Sequence, residues 1–271
     1  MSSLKLPLVV EPQELERHLG EDSLLLVDLC KPAVYLESHI PGAIHLDYAN
    51  IVAVNKPVMG LLPGDEQLIE IFSSIGLTPD RFVVAYDDEG GGRASRLLWT
   101  LDAMGHKQFA LLNGGLHAWN MEQRSLTNKN EDLRHGQFRA QRNNAVIADK
   151  AYVLKNLGNP AVVFLDARSE DEFHGFKRFT ERAGHIPGAV HLDWLTTMDR
   201  ERGLRFKPAE DLRALLQSRG VTADKEVVCY CQSHHRSAHS YIMLKYLGYT
   251  QVRGYPGSWS DWGNSPETPI E

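Results

Sequence analysis

The sequence predicts two tandem α/β domains, each a doubly wound, mostly parallel sheet flanked by helices. Three observations carry that prediction. The nonapeptide HIPGAIHLD at His39 returns as HIPGAVHLD at His185, with eight of nine residues alike at an offset of 146. Short apolar runs of strand type alternate with segments whose apolar residues recur three and four apart, and strands separated by helices pair in parallel. The tails NGGLHAW and YPGSWSDW align at Trp119 and Trp262.

Each element follows from its own residues. LLLVDL, ending at Leu29, is a continuous apolar run suited to a strand covered on both faces, and VVFLDA, ending at Ala167, is its counterpart, pairing Asp28 with Asp166 at an offset of 138. An amphipathic segment and a second strand, AIHLD or AVHLD, come next; the change of offset marks an eight-residue insertion in the second copy, within HGFKRFTERAG. EQLIEIFSSIG and AEDLRALLQSRG are helical, the latter with Leu212, Leu215 and Leu216 on one stripe. Gly76 aligns with Gly220, and the strands FVVAYD and VVCYC lead into the helices RASRLLWTLDAMG and SAHSYIMLKYLG. A polar, Asn-rich stretch poor in periodic apolar positions separates the copies, so the domains are expected at 1–130 and 146–271 with a linker over 131–145.

Composition narrows the function. The 271 residues are 42% hydrophobic and 24% charged, ordinary values for a folded water-soluble chain. A net charge of -6 gives no electrostatic reason to expect nucleic acid. The N-terminus lacks the apolar core of a signal peptide and no stretch is long enough to cross a bilayer, so a cytoplasmic location without membrane association is expected. Three cysteines, Cys30, Cys229 and Cys231, are too few and too odd in number for a disulfide framework.

The chemistry concentrates in VVCYCQSHHRS, Val227 to Ser237. Cys231 ends a strand, and a helix is expected to begin near Ser237, so the intervening loop curls over a helix N-terminus. Inward-facing amides and the helix dipole favour an anion there. A thiolate is such an anion, and helix N-termini and neighbouring cations depress a cysteine pKa from its usual value of about 8.5. Gln232, Ser233, His234, His235, Arg236 and Ser237 are the candidate groups that hold the sulfur anion and a second anion close together, with the two histidines read as adjustable donors. In the first copy VVAYDDEGGGRAS stands opposite, with Asp87 in place of Cys231, so that copy has no nucleophile and is expected to support, shape or partly cover the site. Cys229, opposite Ala85, reads as core filler, and Cys30 as structural. A metal site built from Cys229, Cys231, His234 and His235 fits poorly, because Cys-x-Cys is not the usual spacing of a zinc pair and no second cluster accompanies it; no metal is expected.

The duplicated HIPGA motifs, Asp166-Ala167-Arg168, the strand-Cys-loop-helix and the closing GSWSDW make the chain resemble the tandem-domain rhodaneses over essentially its whole length. The loop Cys-Gln-Ser-His-His-Arg-Ser is most similar to that of bacterial members. The resemblance implies a sulfurtransferase: Cys231 takes a sulfane sulfur from thiosulfate or a related small anionic donor as a persulfide and passes it to cyanide, another thiol or a protein, with no cofactor beyond that covalent intermediate. Arg168 is expected to be structural, paired with a carboxylate. Animal relatives carry a second anion-binding arginine four residues after it, where this chain has Glu172, which is expected to repel an anionic donor. Lys177, Arg178 and Arg182 of the insertion could return positive charge to the mouth, and Trp194 and Trp262 are candidate pocket walls. Two alternatives stand beside this reading. A phosphatase of the Cdc25 type or a related arsenate reductase needs Cys-x5-Arg, one residue longer than Cys231 to Arg236. A non-enzymatic persulfide or redox-sensing module would want a resolving thiol, for which Cys229 on the same short strand is badly placed.

Overall fold

The computed structural model describes residues 4–131 and 135–271. Along the chain lie β1 (Val9–Val10), α1 (Pro12–Glu16), β2 (Leu24–Asp28), α2 (Pro32–Glu37), β3 (Ala43–His45), β4 (Ala53–Asn55), β5 (Val58–Leu61), α3 (Asp65–Ser74), β6 (Phe82–Tyr86), α4 (Gly92–Ala103), β7 (Phe109–Leu112) and α5 (Gly115–Met121). The second half continues with α6 (Lys150–Lys155), β8 (Val162–Asp166), α7 (Glu170–Phe173), β9 (Val190–His191), β10 (Met198–Asp199), β11 (Arg205–Phe206), α8 (Ala209–Gln217), β12 (Glu226–Tyr230), α9 (Arg236–Tyr246), β13 (Val252–Gly254) and α10 (Ser258–Trp262).

Two parallel sheets result, one in order β1-β7-β6-β2-β3 and one in order β13-β12-β8-β9. The central strands β2 and β6 are buried at every residue, as their unbroken apolar runs require of strands covered on both faces. In the second sheet the chain steps outward from β8 to β9 on one side and from β12 to β13 on the other, which makes the carboxyl edge between β8 and β12 the switch point of the winding, where α/β sheets open a crevice. Tyr230 lies opposite Asp166 at that edge, so the loops beginning at Cys231 and Ala167 emerge side by side.

The repeated nonapeptide is scaffold. Its isoleucine amides, Ile40 and Ile186, donate to the hydroxyls of Tyr86 and Tyr230, tying β6 and β12 to the preceding crossover. His39 stacks on Tyr35 at 3.9 Å and His185 on Phe173 at 3.7 Å, while His45 and His191 bond the carbonyls of Cys30 and Arg168. The cores around these staples include Leu26, Val84, Tyr86 and Trp119 in one unit, and Phe164, Val228, Tyr230 and Trp259 in the other.

The compact units are not the contiguous stretches expected at 1–130 and 146–271. One comprises the chain up to Ile51 with 63–143 and 199–206; the other comprises 52–62, 144–198 and 207–271. Strands β4 and β5 pair antiparallel with each other and join neither large sheet, which leaves that hairpin free to pack on α10 instead. Part of the expected linker is also packed: Phe138 is buried edge-on against Phe72 at 5.2 Å, and Gly136 and Gln141 donate to the carbonyls of Ser73 and Met104. One apolar residue within a polar stretch was the signal for this. Residues 132–134 of that stretch lie outside the described residues. Among the described residues no helix is long and apolar enough to cross a membrane.

Candidate active site

Cys231 follows β12 directly, and α9 begins at Arg236, one residue before the expected start. The thiol is 1% exposed. Its loop is gripped from α10: the amides of Cys231 and His234 both donate to Ser258 Oγ, at 3.2 and 3.1 Å, and that hydroxyl donates onward to the Tyr255 carbonyl at 2.7 Å. The amides of Trp259 and Ser260 donate to the carbonyls of Cys231 and Gln232, each at 2.9 Å. Only part of the loop's amide set therefore faces inward; two of its N–H groups are taken by Ser258.

The groups that do face the sulfur are the Ser233 amide and the amide and hydroxyl of Ser237. Burial by itself would raise the thiol pKa, but the Arg236 charge, Ser237 and the Ser233 amide outweigh it, and the balance lowers it. Ser237 carries a single hydroxyl proton. If that proton points at a thiolate, the bond of 2.8 Å between Ser237 Oγ and His234 Nδ1 must be donated by the histidine, which sets the His234 tautomer. His234 is fully buried, with a left-handed backbone (φ 53°). His235 instead lies near Trp194, 5.9 Å between ring centroids, and Trp194 also meets His239 edge-on at 5.4 Å. Trp194 thus packs beside the loop, whereas Trp262 is a core residue whose indole N–H donates to the Pro269 carbonyl.

Glu172 does not face an incoming donor as a repelling charge. Its two oxygens take Arg236 Nη1 and Nη2 at 2.6 and 2.8 Å, a bidentate pair across the switch point, and the carboxylate is 3% exposed. Burial opposes its charge, yet Arg236 and the Ser169 hydroxyl and amide hold the carboxyl down to about 2. The same Ser169 and Glu172 form the capping box of α7, so the helix start itself aims the carboxylate. Position 172 is therefore where the chain fixes Arg236. Arg168 lies below, paired with Asp166 at 2.6 to 3.0 Å and 4.5 Å from the Trp259 ring. The insertion does not send its cations to the mouth: Arg182 bonds the carbonyls of Trp262 and Thr268, Lys177 lies over the Phe179 ring at 5.0 Å, and Arg178 bonds the Glu181 carbonyl.

The equivalent loop of the other unit closes on a carboxylate. There Asp87 Oδ1 accepts the amides of Glu89 and Gly91 at 3.0 and 2.7 Å, and Oδ2 accepts that of Ala94 at 2.9 Å. The anion site is filled by the chain's own carboxylate. Burial and the nearby Glu89 charge raise Asp87 to about 6 against those three donors. Cys229 is wholly buried with its thiol pushed up by burial, and Cys30 likewise, with Asp28 adding to the shift.

Ser258 is the loop-holding residue that sequence reasoning missed. GSWSDW was visible as a motif, but nothing local tied its serine to a loop 27 positions earlier. Ser258→Ala is expected to cost about 1–3 kcal/mol by leaving two buried amides unsatisfied, and to slow alkylation of Cys231 at fixed pH. Denaturant melts and iodoacetamide kinetics check both, and unchanged values would show that the hydroxyl is dispensable.

A strand-loop-helix cup at the switch point of a duplicated α/β fold, holding a buried cysteine whose pKa is lowered, is the candidate site of a transferase that works through a thiolate. The Rhodanese-like domain model matches residues 11–122 and again 149–265, and the chain belongs to that family. It is 43% identical over 266 residues to the thiosulfate sulfurtransferase of Azotobacter vinelandii, covering 98% of this chain and 97% of that one, and 42% identical to that of Pseudomonas aeruginosa with the same coverage. The chain is a sulfurtransferase, and these relatives lend no support to the phosphatase or sensor alternatives. Among solved structures, the anaerobic ergothioneine biosynthesis enzyme of Chlorobium limicola superposes with a TM-score of 0.86 at 20% identity, over 97% of this chain and 70% of that one, a likeness of fold.

Proposed function

We propose that this protein moves sulfane sulfur from thiosulfate, or a related small anionic donor, through a persulfide on Cys231 to cyanide, a thiol or a protein acceptor. The Cys231 thiolate attacks the outer sulfur of thiosulfate; a new S–S bond forms, the old one breaks, and sulfite leaves with its electron pair. The acceptor then attacks the terminal sulfur and restores the thiolate, giving thiocyanate when it is cyanide. No net oxidation occurs, and neither metal nor organic cofactor enters the scheme. Two half-reactions through one covalent intermediate predict ping-pong kinetics.

The single observation that carries the reading is the lowered pKa of a fully buried thiol, held by Arg236, Ser237 and the Ser233 amide. Full burial suits a small donor or one protruding thiol, not a broad contact. We place the enzyme in the cytoplasm, where free thiols persist. Incubation with thiosulfate tests the proposal: the peptide holding Cys231 should gain about 32 Da as a cyanide-labile adduct, close to one sulfur per chain. No adduct with any small sulfur donor would refute it.

A further inference from the structure

We propose that Gly60, on the hairpin β4–β5, is a positioning residue for the catalytic loop: it lets the hairpin back press directly on the Ser233 peptide and hold the Ser233 amide against Cys231. The inference rests on the sulfur-transfer reading of Cys231.

Three observations support it. A Cβ placed on Gly60 would lie 2.1 Å from the Ser233 carbonyl oxygen, 2.6 Å from its carbonyl carbon and 2.7 Å from its Cβ. The nearest obstacles are main chain and cannot rotate away as a side-chain tip would. The opposite edge of the same peptide is also fixed, since the His234 amide donates to Ser258 Oγ at 3.1 Å. Ser233–His234 is thus a peptide plane clamped on both edges, next to the amide that faces the sulfur.

The hairpin is anchored for the task. The Met59 amide donates to Ser260 Oγ at 2.9 Å, the same hydroxyl lies 3.0 Å from the Met59 carbonyl, and the Ser260 amide donates to the Gln232 carbonyl. One residue of α10 therefore ties hairpin and loop together.

Leu204 keeps a left-handed backbone, φ 59°, with a full side chain, so a positive φ like the 74° of Gly60 does not by itself demand glycine in this chain. The close approach to Ser233 adds the steric demand.

The experiment compares Gly60→Ala and Leu204→Ala with the unaltered enzyme, reading the pH dependence of Cys231 alkylation by iodoacetamide, the rate of sulfur loading from thiosulfate, and thermal melting. Gly60→Ala is expected to move the alkylation profile to higher pH by about one unit, leaving about tenfold less thiolate at a fixed pH on the acid limb, with loading slowed by the same factor. Leu204→Ala is expected to leave the profile in place. An unshifted profile in folded Gly60→Ala, or an equal shift in Leu204→Ala, overturns the proposal. Should Gly60→Ala not fold, Ser260→Ala removes the link without adding bulk, and an unshifted profile there overturns it equally. Loading of the unaltered enzyme is scored separately: if it loads at Cys231 while the Gly60 profile is unshifted, the positioning role fails alone, and if it never loads, the sulfur-transfer reading fails.

Discussion

Replacing Cys231 with serine is expected to lower sulfur transfer by roughly 10⁴-fold or more while leaving the fold intact. The loss follows from chemistry: a hydroxyl in the same cup is neither ionised near neutrality nor able to form a persulfide, so neither half-reaction can start. The fold should survive because the duplicate loop builds the same strand-loop-helix without a thiol, around Asp87. Cyanolysable sulfur and the adduct mass read the first effect, and circular dichroism and melting temperature the second. Transfer retained in the serine variant would remove Cys231 from the mechanism. Cys229 cannot substitute for it, being buried in β12 with its thiol raised by that burial.

Arg236→Ala is expected to damage both activity and stability. The guanidinium contributes charge to the thiolate and closes a bidentate pair with Glu172, so its removal raises the Cys231 pKa and strands a carboxylate that is 3% exposed. Breaking a buried pair from one side costs about 3 kcal/mol. The sign with pH follows from Glu172, whose folded pKa of about 2 lies below its ordinary value. Its stabilisation is complete above the unfolded pKa of about 4.3 and is lost as pH falls toward 2. The stability gap between native protein and variant should therefore be widest above about pH 5 and narrow in acid, while alkylation of Cys231 shifts to higher pH. Urea melts across pH and iodoacetamide kinetics measure the two effects; a gap that does not change with pH would show that the pair with Glu172 is not what stabilises the loop. The same geometry reverses the expectation for position 172, where an arginine would meet Arg236 in a buried site rather than welcome a donor.

The sequence alone determined the duplication and the parallel α/β class, and it singled out Cys231, opposite Asp87 of the other copy, as the thiol proposed to carry sulfur, because each rests on local pattern: apolar periodicity, a repeat read by offset, and residue types crowded into one loop. Ser169 and Glu172 were within reach as a capping box, but their partner Arg236 lies 64 positions away, and no local pattern reports which charges meet. Only the tertiary structure decided that Glu172 holds the arginine, that Ser258 takes two of the loop's amides, that Arg182 is a staple, and that residues 52–62 belong with the unit that holds Cys231. These depend on packing between segments distant in the chain. Side-chain chemistry can be read in order along a sequence, whereas the direction in which a buried donor or charge points is set by whatever else the fold brings to it.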